Sequence, residues 1–301
     1  MKKIFLLPIL SIFILSNPLD ASATKTRNAS LSIAPTTLMQ NLSQSGHIFL
    51  VDVRNQSDFN KFKIPGSINI PLSFIKTKAF LKSHPVVLIH EGHTYTEIEK
   101  EADALNQGGF DIKILEGGLW AWKHKGGDIV GDPFSQRDLN KMSARDFFQE
   151  KEYGNLIVID ASSTPSEKVE RSLPKAIRLS DSEDRPDVNE LVTSIFIDRK
   201  KLKKYQKGLK IPEGVDLVKA AKTDPLLSVV IITETGTDYA AIEDEIDEAC
   251  RDRVFFLEGG LEGYEKFLKF KLLANRPRND RIKTTEGCEE CEKETLESKL
   301  N

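Results

Sequence analysis

Residues Val86 to Thr96 read VVLIHEGHTYT, four aliphatic residues that run straight into a short polar loop. The run EIEKEADALNQGGF follows at once, with a helical pattern. An apolar stretch with no polar alternation reads as a strand buried on both faces, which is typical of parallel sheets. A strand that feeds a tight loop and then a helix gathers unpaired backbone N–H groups at one point. The helix dipole favours negative charge there. The stretch therefore predicts an α/β unit with an anion-type pocket at the loop, and it raises the question of what reacts there.

The same order recurs further along. Val229 to Ile232 (VVII) leads into TETGTDY, then the helical run AAIEDEIDEAC, then RVFFLEGGLEGY from Arg253. The first copy closes with DIKILEGGLWAW from Asp111, so LEGGL stands at both Leu115 and Leu257. Upstream, HIFLVDVRNQSDFNKFKIPGSINIPL from His47 is echoed by NLIVIDASSTPSEKVERSLPKAIRL from Asn155. A repeat of strand, loop and helix implies duplicated units, each a mainly parallel sheet covered by helices. The second copy is longer by a charged segment at about 180–226, read as a helical excursion or a long loop. Its run Arg199-Lys200-Lys201-Leu202-Lys203-Lys204 is short and reads as a solvated helix face, so no nucleic-acid partner is expected.

The chain opens MKKIFLLPILSIFILSNPLDASA, with two lysines, a short apolar stretch and Ala21-Ser22-Ala23. That is the pattern of a secretory signal peptide over 1–23, too short to span a bilayer. Cleavage near Ala23 and a periplasmic or secreted product are expected, with no membrane span in the mature chain. After about Leu273 the apolar pattern fades into a polar tail, 273–301, which carries Cys288 and Cys291 as a CxxC pair.

Taken together, Asp52-Val53-Arg54 with Asp58-Phe59, Ile64-Pro65-Gly66-Ser67-Ile68-Asn69-Ile70-Pro71, the VVLI strand with its loop and helix, and LEGGLWAW resemble a rhodanese homology domain. The second copy resembles it more weakly, through Asp160, Pro174, VVII, LEGGL and Tyr264. The resemblance implies two rhodanese-like domains of α/β class, at 24–132 and 133–272. In active members the strand ends in the cysteine of a C-x-x-G-x-R-[ST] loop, whose thiolate carries a persulfide. Here His90 stands at the cysteine position and Tyr95 at the arginine position; in the second copy these are Thr233 and Asp238. The pocket residues implied are Glu91, Gly92, His93, Thr94 and Tyr95 in one loop. In the other they are Glu234, Thr235, Gly236, Thr237 and Asp238.

Neither loop holds a thiol. Imidazole forms no stable bond to sulfane sulfur, and a threonine hydroxyl without an adjacent base is no nucleophile. Glu91, Glu234 and Asp238 would also repel a dianion such as thiosulfate. The loops are therefore expected not to transfer sulfur, and the protein to act as a binding or scaffolding module for a protein partner or a small anionic or sulfur ligand. His90 and His93 form at most half a metal site, and no metal or cofactor is expected. Asp52 and Asp160 are expected to accept backbone hydrogen bonds, Arg54 to pair with Asp58, and Cys250 to be a buried thiol. Three uses stay open for Cys288 and Cys291: an inert disulfide, a redox or sulfur relay that would make the chain an enzyme after all, or a metal half-site shared with a second chain.

Overall fold

A computed structural model describes residues 28–274, apart from breaks at 45–46, 152–155, 163–166, 180–185, 214 and 224–225. The expected signal peptide at 1–23, Cys288, Cys291 and most of the polar tail lie outside the described residues.

Two sheets organise the chain. The first holds β1 (Ser32–Ile33), β2 (Phe49–Asp52), β4 (Ile68–Asn69), β5 (Val86–Ile89) and β6 (Ile112–Leu115), in the order β1-β6-β5-β2-β4 and parallel throughout. The second holds β8 (Lys141–Met142), β9 (Leu156–Asp160), β10 (Ile177–Leu179), β12 (Ser228–Ile232) and β13 (Val254–Leu257), in the order β8-β13-β12-β9-β10. Numbered within each sheet along the chain, both orders read 1-5-4-2-3. A small antiparallel pair of β3 (Phe62–Lys63) and β7 (Val130–Gly131) stands apart.

The second sheet has one strand more, β11 (Leu209–Lys210), which runs antiparallel along β10. It comes from the insertion, whose described part is helical at Val188–Phe196, Arg199–Tyr205 and Leu217–Thr223. In the lysine-rich helix Leu202 is buried and its basic neighbours are exposed, so the run is a solvated face as expected. The insertion thus covers an edge whose counterpart β4 in the first sheet has a strand on one side only among the described residues, and such cover limits unwanted strand pairing.

Successive side chains on a strand point to opposite faces, and the cores follow that rule. Val86 and Leu88 of β5 pack into an outer cluster with Tyr95, Ile98 and Leu105, while Val87 and Ile89 face the other way. In β12, Val229 and Ile231 join the outer cluster of the second half, while Val230 and Ile232 face inward. The inward residues of both strands belong to one continuous cluster with Trp120, Phe147, Phe255 and Tyr264, so the halves share a core. Across the join Trp120 Nε1 donates to the Arg251 carbonyl at 2.7 Å, and Lys125 pairs with Asp252 at 2.7 Å.

The repeated LEGGL has a mechanical reason. Gly118 and Gly260 both have positive φ, at 53° and 58°. A β-carbon on Gly118 would lie 2.4 Å from the His90 carbonyl oxygen, and one on Gly260 would lie 2.5 Å from that of Thr233. The glycines let each helix start come within hydrogen-bond reach of its loop. Leu119 N donates to the His90 carbonyl at 2.8 Å and Trp120 N to that of Glu91 at 3.0 Å. In the second half Leu261 N and Glu262 N do the same to Thr233 and Glu234, at 2.9 and 3.0 Å. Gly118→Ala or Gly260→Ala should cost more than about 2 kcal/mol in urea denaturation, because a backbone contact must open. Gly66→Ala, at a positive φ with open space around it, should cost only about 1 kcal/mol.

Candidate functional site

Each loop starts where its central strand ends. Asp52 is in register with Ile89, and Asp160 with Ile232, so an acidic strand end stands beside each loop. Asp52 Oδ1 accepts from the Arg54 backbone N–H at 3.0 Å, as Asp160 Oδ1 does from Ser162 at 3.1 Å, in line with the expected backbone bonding. The expected pairing of Arg54 with Asp58 is not found. Arg54 folds back on Asp52, with Nε and Nη2 at 3.0 and 2.7 Å from its two oxygens, and Nη2 also donates to the Phe62 carbonyl. Burial decides the choice. Both Asp52 and Arg54 are buried, and a buried charge needs its opposite at contact. Asp58 sits on the exposed helix Gln56–Lys61 and pairs with Lys61 at 2.8 Å.

In the first loop His90 is fully buried, with Nε2 at 3.1 Å from the Leu115 carbonyl and its ring edge-on to Tyr95 at 4.7 Å. The Tyr95 hydroxyl accepts from Gly117 N at 2.7 Å, which ties the loop to LEGGL a second time. His93 is buried with its ring edge-on to Phe255 of β13, in the other half, at 5.4 Å. His90 and His93 are therefore placed by packing, and among the described residues no group of three His, Cys, Asp or Glu could hold a metal ion.

The helix after this loop, Thr96–Gln107, is capped from the other half. Glu150 Oε1 accepts from Tyr95 N at 2.9 Å and from Thr96 N at 2.8 Å, and its side chain is buried. Thr96 Oγ1 also reaches the Gln149 carbonyl at 3.4 Å. First-turn N–H groups have no partner within their own helix and attract an anion. Here the chain supplies that anion itself.

The second loop closes on itself differently. Thr233 Oγ1 accepts from Gly236 N at 3.0 Å, while Thr233 N donates to the Tyr239 hydroxyl at 3.3 Å. That hydroxyl donates in turn to the Leu257 carbonyl at 2.8 Å, and burial pushes its pKa up to about 12. Thr235, Thr237 and Asp238 are exposed, and their hydroxyls and carboxylate bond one another. Among the described residues Cys250 is the one cysteine. It is buried, and desolvation pushes its thiol up to about 11.

Both loops open on one cleft of about 550 Å³ between the halves. Glu91 and His93 line it from the first loop, and Gly236 from the second, beside Tyr239 and Glu258. His90 and Thr233, at the nucleophile positions, do not line it. Glu150, Tyr239 and Glu258 carry no pattern that the sequence reading weighed. Only the recurrence of LEGGL placed Glu258 near a loop.

Residues 34–125 match the rhodanese-like domain family. A protein from Bacillus halodurans is 26% identical over 34% of this chain and 77% of its own, with a TM-score of 0.31. A rhodanese-related protein from Thermoplasma volcanium is 26% identical over 33% of this chain and 96% of its own, with a TM-score of 0.29. A thiosulfate sulfurtransferase from Pseudomonas aeruginosa is 16% identical over 78% of this chain and 42% of its own, with a TM-score of 0.30. No curated protein matches the chain. The match to a rhodanese-like domain is thus confined to residues 34–125. Among the described residues no helix is long and apolar enough to cross a membrane.

Glu91 is a titratable group that its place in the cleft alters. Burial, helped by the nearby Asp146 and Asp52 carboxylates, raises its pKa, against its own backbone N–H and Arg54, which lower it. A carboxyl whose folded pKa is raised binds more protons folded than unfolded, so stability falls as pH rises through the folded value. Glu91→Gln removes that penalty. Its stability relative to the parent chain should therefore increase as pH is taken from about 4 to about 7 in urea titrations; a difference independent of pH would contradict the assignment.

Proposed function

We propose that the chain is an exported, tandem rhodanese-like protein whose two loops bind and do not transfer sulfur. The observation that carries this reading is the pair of residues after β5 and β12, His90 and Thr233, each buried and engaged with its own loop or the LEGGL strand. A sulfur carrier must present a thiolate to solvent, and neither residue can. The shared strand order of the two sheets supports a duplicated origin. The opening residues 1–23 support export to the periplasm or beyond.

The test is a transfer assay on the mature chain, with thiosulfate or polysulfide as donor and cyanide as acceptor. The expected outcome is no transfer and no sulfur adduct by intact mass. Transfer that disappears in the Cys288→Ser/Cys291→Ser double variant would instead make the tail pair the catalytic centre.

A further inference from the structure

The cleft between the halves has the wrong charge for a sulfur oxyanion. Five carboxylates and three cations line it, and the cations are already engaged. Arg54 is clamped on Asp52, which lies outside the lining. Lys61 contacts Asp58 at 2.8 Å. Lys141 stands 3.9 Å from Glu243 and lies over the rings of Tyr239 and Phe256, at 5.3 and 4.8 Å.

What remains is Glu91, Asp138, Asp146 and Glu258, none of which has a cationic partner among the described ion pairs. Asp146 accepts from the Ser143 hydroxyl at 2.7 Å. Glu91 keeps a long 3.4 Å contact from the Thr94 hydroxyl and its own backbone N–H. Asp138 and Glu258 are exposed. The donors that would hold an anion are spent elsewhere: the first-loop helix start on Glu150, and Gly236 N on Thr233.

We propose that this cleft takes an organic cation, an alkylammonium or guanidinium group, held between the carboxylates of Glu91 and Glu258. The proposal rests on the reading that the loops bind and do not transfer sulfur. The volume suits a small molecule or one or two extended side chains. A metal ion is the poorer occupant, since no three acidic or imidazole groups converge among the described residues. An ammonium or guanidinium needs only one carboxylate at a time; the two rings of the lining already carry the chain's own cations, Arg54 over Phe62 at 4.7 Å and Lys141 over Tyr239 at 5.3 Å.

The experiment is calorimetric titration of the full chain with spermidine, with a lysine-rich peptide and with thiosulfate. Glu91→Gln/Glu258→Gln removes two charges from the cleft, and Asp111→Asn/Glu213→Gln removes two from exposed positions outside its lining. Glu258→Gln alone, at an exposed site, keeps the test available if the Glu91 substitution disturbs folding. The expected result is one-to-one binding of an amine that the cleft double variant weakens at least about tenfold and the outside variant less than about twofold. Tighter binding of spermidine marks a free polyamine as the source, and tighter binding of the peptide marks a protein side chain.

Binding of neither amine, equal weakening by both double variants, or tighter binding of thiosulfate would overturn the proposal. Sulfur transfer by the parent chain would contradict the underlying reading. Absence of amine binding with no transfer would contradict the cation proposal alone.

Discussion

The Glu150 carboxylate on the amides of Tyr95 and Thr96 is the contact on which the arrangement turns. A helix start needs its free N–H groups satisfied, and in a pocket built for anions that demand is also the binding site. Glu150 meets it from the other half of the chain. One oxygen takes both amides, and the other has no hydrogen-bond partner among the described residues. Burying a carboxylate costs several kcal/mol unless its bonds are good, so this contact is worth keeping only where both amides are held. It joins the halves at the helix start that follows the first loop.

Around that contact the two halves use common parts for different ends. The glycine pair of LEGGL brings each helix start onto the carbonyls of its loop, at His90 and Glu91 in one half and at Thr233 and Glu234 in the other. A tyrosine then braces each loop against the LEGGL strand, by different routes. Tyr95 takes the Gly117 amide, whereas Tyr239 gives its hydroxyl proton to the Leu257 carbonyl. The shared core of Val87, Ile89, Val230 and Ile232 fixes how the loops face one another.

Much of this was legible in the residues. Unbroken apolar runs such as VVLI and VVII mark strands buried on both faces, because only such strands need no polar alternation. The double glycine of LEGGL marks a close approach, although what approaches is visible only in three dimensions. The parts that escaped reading are those decided by distant partners. Glu150 sits in the short helix Ala144–Glu150 with no spacing to set it apart from any surface glutamate. Arg54 had two carboxylates within reach, and burial of Asp52 made the choice. β11 is two residues of Gly208-Leu209-Lys210, which form a strand because the edge of β10 is there to receive them. The cleft's charge depends on which cations are already paired, a property that composition does not carry.

Amide hydrogen exchange at Tyr95 and Thr96 tests the central claim most directly. First-turn amides ordinarily exchange fast, since no carbonyl of their own helix protects them. If Glu150 occupies that helix start, both amides should be strongly protected in the parent chain and exchange at least about tenfold faster in Glu150→Ala, a change of about 1.4 kcal/mol or more. Amides that exchange fast in the parent, or stay equally protected without Glu150, would contradict the account.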